Sequence, residues 1–137
     1  MGRILAIDYG TRRTGLAVSD PLQIIAGGLT TVDTRELEKF IAEYVADNDV
    51  ETIVVGKPMQ MNGTPSDTYR FVEPLVSRLR RVYPAIRIEL YDERFTSVMA
   101  HRTMLESGIG KMARRDRALV DKISATIILQ SYMDSKH

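Results

Sequence analysis

Ile4-Leu5-Ala6-Ile7-Asp8-Tyr9-Gly10-Thr11-Arg12-Arg13-Thr14-Gly15-Leu16-Ala17-Val18-Ser19-Asp20 decides how the rest of the chain is read. Residues 3–8 carry apolar side chains on both faces, the pattern of a strand at the centre of a sheet, and the run ends on a carboxylate. Asp8 to Arg13 then reads as a turn, and 14–20 as a second strand. A third strand is expected over 24–32, entered after Pro21. Strands this close in sequence predict an antiparallel meander.

Past residue 33 the period changes. Leu37, Phe40, Ile41, Tyr44 and Val45 form one helical stripe. Asp33 or Thr34 can cap its start, and Asp33 with Glu36 has capping-box spacing. Thr52 to Gly56 reads as a short buried strand, and Lys57 to Ser66, with Pro58, Gly63 and Pro65, as a loop. Val72, Leu75, Val76, Leu79 and Val82 mark a second helix, in which Pro74 predicts a kink or the true start. Residues 86–91 are a further strand. Thr96 can cap a short helix ending near Gly108. A basic loop follows to about Arg117, then a long helix over about 118–133. Strand–helix alternation in the second half implies parallel strands there. The fold class is therefore α/β, a central mixed five-stranded sheet flanked by helices on both faces.

The 137 residues suit one compact domain, 1–137. Apolar residues make up 44%, enough for a core, and no stretch approaches the roughly 18 apolar residues of a membrane span. The N-terminal run is too short for a signal peptide, so a cytoplasmic location is expected. The absence of cysteine excludes disulfides, thiolate zinc sites and a cysteine nucleophile. Nineteen basic and 18 acidic residues leave a formal charge of +1. That balance neither demands nor forbids a nucleic-acid partner, so the distribution matters more. Arg3, Arg12 and Arg13 flank the first turn, and Lys111, Arg114, Arg115 and Arg117 crowd a later segment.

Three acids attract attention together. Asp8 shares a strand face with Ile4 and Ala6. A carboxylate ending a buried strand is costly unless paired or bound to a cation. Glu93 follows the strand 86–91. Asp92 and Glu93 are adjacent and point in different directions, so only one is expected to enter a site. Asp121 opens the last helix on the face that carries Ala125, Ile128 and Tyr132, so it is expected to point toward the strand ends. Each acid has an ordinary explanation: turn capping for Asp8, a surface pair with Arg94 for Glu93, and the helix dipole for Asp121. Converging, the three need a counter-charge. Oxygen ligands, with only His101 and His137 as imidazoles, favour Mg²⁺ or Mn²⁺ over zinc. Two such ions roughly 3.5–4 Å apart serve phosphodiester cleavage, with Asp8 the expected bridge. Thr11, Arg12, Arg13, Lys57, Asn62, Arg94, Lys111, Arg114 and Arg115 are candidate nucleic-acid contacts. The amides of the 56–64 loop are candidate phosphate donors.

Four blocks carry a resemblance: Ile-Asp-Tyr-Gly-Thr-Arg-Arg-Thr-Gly-Leu-Ala-Val-Ser-Asp (7–20), Val-Val-Gly-Lys-Pro-Met-Gln-Met-Asn-Gly (54–63), Asp-Glu-Arg-Phe-Thr-Ser (92–97) and Val-Asp-Lys-Ile-Ser-Ala-Thr-Ile-Ile-Leu-Gln (120–130). In this order they resemble the YqgF family, also called RuvX, over nearly the whole chain. The resemblance implies a ribonuclease H-like fold related to the RuvC resolvases. It also implies catalytic acids at Asp8, Glu93 and Asp121, and activity either in maturing the 5′ end of 16S ribosomal RNA or on Holliday junctions. The expected partner is structured RNA or branched DNA, with ribosome association left open, and the chain acting as a monomer or weak homodimer. Lys57 stands where an apolar residue is expected, and Ser124 where alanine is.

Two other readings compete. Asp8-Tyr9-Gly10-Thr11 also resembles the first phosphate-binding hairpin of the sugar kinase and actin-like ATPases, which close two domains over a nucleotide; one chain of this length cannot do that alone. A non-catalytic module binding ribosomal RNA or the ribosome would tolerate loss of the acids.

Overall fold

A computed structural model describes residues 2–60, 62–93 and 117–136, the side chains of 117–121 excepted. Strands β1 (Arg3–Asp8), β2 (Arg13–Ser19) and β3 (Ala26–Asp33) are followed by helix α1 (Leu37–Asp47), strand β4 (Val50–Lys57), helix α2 (Tyr69–Val82), strand β5 (Arg87–Asp92) and helix α3 (Arg117–Lys136). One five-stranded sheet has the order β3-β2-β1-β4-β5. β1, β2 and β3 pair antiparallel, while β4 and β5 run parallel to β1. This is the mixed α/β sheet expected from the meander and the two crossovers.

β1 is central because both its faces are greasy. Leu5 and Ile7 point into one layer with Leu16, Ile53, Val55 and Ile88, covered by Leu37 and Ile41 of α1 and by Val72, Leu75, Val76 and Leu79 of α2. Ile4 and Ala6 point the other way, with Ala17 and Val54, onto Ala125, Ile128, Leu129, Tyr132 and Met133 of α3. Helices therefore flank both faces. Burial of this many large aliphatic side chains, at roughly 1.5–3 kcal/mol each, is the main cohesive force. An exposed fork from Arg78 to Glu38, 3.0 and 3.1 Å, links α2 to α1 and adds little by comparison.

Several boundaries differ from the sequence reading. β3 begins at Ala26, not residue 24, and Ile24 and Ile25 are exposed. The carboxylate of Asp20 accepts the amides of Leu22, Ile24 and Ile25 and folds that segment into a turn, with Gln23 at φ 59°. Asp33 makes no cap hydrogen bond, and a single 3₁₀ turn (Thr34–Glu36) precedes α1. α2 starts five residues before Pro74, which is exposed, as is Arg70, whose carbonyl a residue-74 amide would have served. Val82 is also exposed rather than part of the buried stripe. α3 is buried beyond its sheet-facing side, at Ile127 and Ser131 as well. The expected short helix 96–108 and the basic loop after it lie outside the described residues. Among the described residues no helix is long and apolar enough to cross a membrane.

Candidate active site

The carboxyl ends of β1, β4 and β5 lie side by side, where parallel strands commonly present their ligand sites. Alternation along β1 puts Asp8, after Ile4 and Ala6, on the α3 face, and Asp8 is half-buried there. Opposite it on β2 stands Gly15. On the other side β4 pairs Val55 with Ile7, and the next register step brings Gly56 beside Asp8.

Gly56 is where the third element joins. Its backbone lies directly under the Glu93 carboxyl: a Cβ there would fall 2.7 Å from Glu93 Oε1 and 2.8 Å from Ile128 Cδ1. Only glycine admits both neighbours unmoved. Glu93 is thus laid across the end of β4, toward the strand that ends in Asp8, with α3 overhead. Asp92 pairs with Lys57 in the parallel register. By alternation it follows Ile88 and Leu90 onto the α1/α2 face. Of the two adjacent acids, Glu93 is the one on the Asp8 side.

Ala125, Ile128 and Tyr132 are buried against the sheet, and Asp121 is one turn earlier on that helix face. Its side chain lies outside the described residues. Among the described residues no three acidic or histidine side chains gather into a cation cage. Asp8 and Glu93 supply hard carboxylate oxygens on one half-buried face, a donor set that suits Mg²⁺ or Mn²⁺.

The β1–β2 turn is fastened from a distance. The Thr34 hydroxyl donates to the Gly10 carbonyl. The buried Thr14 hydroxyl in turn donates to Thr34 Oγ1 at 2.9 Å, because the single Thr34 proton is already committed. The Thr34 amide donates to the Arg12 carbonyl at 3.0 Å. At Gly10 a Cβ would lie 2.3 Å from the Arg13 carbonyl oxygen, so the turn closes only over glycine. Thr11 and Arg12 are left exposed at the same edge as Asp8, with Arg13 half-buried.

Two further candidate contacts, Lys57 and Asn62, have local neighbours. Lys57 alternates to the opposite face from Gly56, and its ammonium sits 5.0 Å above the Tyr69 ring. Asn62 Oδ1 accepts from the amide and hydroxyl of Thr64 at 3.1 and 2.7 Å. Gly63, at φ 89°, makes the tight turn. The amides of Gln60, Gly63 and Thr64, with that of Ser66 just beyond, are used inside this loop. Arg94, Lys111, Arg114, Arg115, His101 and His137 lie outside the described residues. Sequence reasoning gave no role to Gly56, or to Lys122, whose aliphatic stem lies 2.8 Å from the position a Cβ on Gly28 would take. A glycine inside a strand was the available signal for the former. Tyr91, beside Glu93, has its phenol pushed up by burial, then by the charges of Asp134 and Asp92, so it stays protonated near neutrality.

A family model described as "RuvX: Holliday junction resolvase" matches residues 2–135. The chain belongs to the RuvX family. A protein of Bacteroides thetaiotaomicron named "Putative pre-16S rRNA nuclease" is 58% identical over 136 residues, covering 99% of both chains. One of the same name from Porphyromonas gingivalis is 58% identical over 98% of each. Among solved structures, YeaZ from Pseudomonas aeruginosa aligns with 79% of this chain and 50% of its own, at 18% identity and a TM-score of 0.44. Membership in RuvX agrees with the ribonuclease H-like class read from the four blocks and with the 3-2-1-4-5 sheet order.

Proposed function

We propose that this chain is a metal-dependent endonuclease that matures the 5′ end of the 16S ribosomal RNA precursor, with Asp8, Glu93 and Asp121 as its acidic site. The observation that carries the reading is the Glu93 carboxyl lying over Gly56, on the α3 side of the sheet beside the strand end that bears Asp8. The substrate assignment is supported by the names of the relatives that match end to end. Asp121 is included on its position one turn before Ala125.

Carboxylates held on a half-buried face repel one another and favour a hard cation between them. Mg²⁺ or Mn²⁺ bound there supplies counter-charge and Lewis acidity toward a phosphodiester. The protein's own part is placement. The β1–β4 register sets Asp8, the missing side chain at Gly56 lets Glu93 lie flat, and Ile128 closes the inner wall. Thr11, Arg12 and Arg13 on the adjoining turn suit the flanking phosphates.

The family description favours a second reading, cleavage of branched DNA. The experiment offers purified protein a 5′-extended 16S precursor and a four-way DNA junction, each with Mg²⁺, with Mn²⁺ and after chelation. Cation-dependent cleavage of the RNA, abolished in Asp8→Asn, is the expected result. Cleavage of the junction alone would move the chain to the second reading. RNA binding without cleavage of either substrate would make it a non-catalytic module.

A further inference from the structure

β5 is the last strand of the sheet, paired only with β4 among the described residues. Along its outer edge runs a groove of about 520 Å³ between the ends of α2 and α3. Arg80, Arg87 and Lys136 line it together with the carboxylate of Glu89, and the charges of Asp134 and Asp92 reach its Tyr91 wall. Those charges are held in place. Arg80 donates to the Ile88 carbonyl at 3.2 Å. Glu89 accepts the Tyr132 hydroxyl and lies 3.9 Å from the Lys136 ammonium, which also sits 5.2 Å above the Tyr132 ring. Tyr91 and Tyr132, edge to face at 6.2 Å, make the aromatic wall.

An open sheet edge invites a pairing strand, but the Arg80 guanidinium already occupies the Ile88 carbonyl, near the start of β5. What is left is a cationic, aromatic-walled channel, the combination that tracks a polyanionic backbone. Direction adds to the case. The channel follows β5 from Arg87 to Tyr91, and Glu93 stands two residues further along the chain.

We propose that this groove binds the single-stranded phosphodiester backbone of the substrate beside the bond to be cut. The proposal rests on the nuclease reading above and adds a binding track to it.

Binding is measured by fluorescence anisotropy with a 12-nucleotide single-stranded RNA and the DNA of the same sequence, across a salt series. Asp8→Asn protein is used so that nothing is cleaved. Adding Arg87→Ala and Lys136→Ala is expected to weaken binding at low salt by about tenfold. It should also make the slope of log K against log salt shallower by roughly 1.4, about 0.7 for each lost phosphate contact on a single strand. The charge-conserving pair Arg87→Lys and Lys136→Arg should retain most of the affinity, which separates lost charge from lost folding. Arg35→Ala, an exposed cation paired with Asp33 on the first crossover, is the control expected to change nothing.

Unchanged affinity and slope in the double alanine variant would overturn the proposal. So would a poly-glutamate peptide that binds through Arg87 and Lys136 while neither oligonucleotide depends on them. Cleavage that persists in otherwise wild-type Asp8→Asn protein sinks the catalytic reading alone, because the groove is scored by binding.

Discussion

The two turns of the meander are built in opposite ways. The β2–β3 turn holds itself: Asp20 spends its carboxylate on the amides of Leu22, Ile24 and Ile25, at 3.2, 2.7 and 2.7 Å. The β1–β2 turn is held from outside, by the hydroxyl and amide of Thr34, 24 residues beyond Gly10. Both turns follow a strand that ends near an aspartate, yet one aspartate is a structural cap and the other stands on the face that gathers Glu93 and α3. An acid after a strand is not by itself a site; what fastens the turn decides whether the acid is needed there.

The sharpest test of this contrast exchanges the two acids' fates. Asp8→Asn should lower nuclease turnover roughly 10³-fold while leaving the melting temperature close to wild type. Single-turnover cleavage and calorimetry on the same sample check it, and a large loss of stability would assign Asp8 to the Asp20 class. Next in size is Gly56→Ala. The new Cβ meets the far ends of Glu93 and Ile128, which can shift, so stability should change little. A displaced Glu93 should lose about ten- to a hundredfold in turnover, read as kcat with the urea midpoint as control.

Thr34→Val tests the external fastening. It removes the donor to the Gly10 carbonyl and the acceptor for the buried Thr14 hydroxyl. The expected cost is about 1–3 kcal/mol in urea unfolding, with a fall in activity because the Thr11–Arg13 turn loosens. Smallest is Asp20→Asn. The hydrogen bonds, that of Ile25 first, hold the Asp20 carboxyl below its ordinary 3.8 in the folded chain. A depressed folded value means the stabilisation is fully present above about pH 3.8 and is lost as pH falls through the lower folded value. The melting temperature of wild type should therefore drop more steeply than that of Asp20→Asn below about pH 4, with the two curves parallel above it.

Much of the scaffold was legible. The two-faced apolar run 4–7 announced a central strand, and the alternation that put Asp8 with Ile4 and Ala6 named the face on which α3 packs. The 125/128/132 spacing named the matching face of α3. Ile24 and Ile25 misled because their β-branched, apolar character suits a strand, while a side chain four and five residues earlier captured their amides. The place of Lys57 at a strand end says nothing about which face it takes until a neighbouring residue is anchored. Gly56 fixes that, and it sends Lys57 to Tyr69.

From composition and pattern alone came the α/β class, the absence of thiol chemistry, and the nomination of Asp8, Glu93 and Asp121 as candidates for one acidic set. These depend on periodicity and on which side chains exist, and both are written along the chain. Tertiary structure decided that Glu93 rather than Asp92 turns toward Asp8, that Gly56 makes the space, and that Thr34 holds the turn. Each of these depends on how one strand is registered against another, and register is set by packing between segments tens of residues apart.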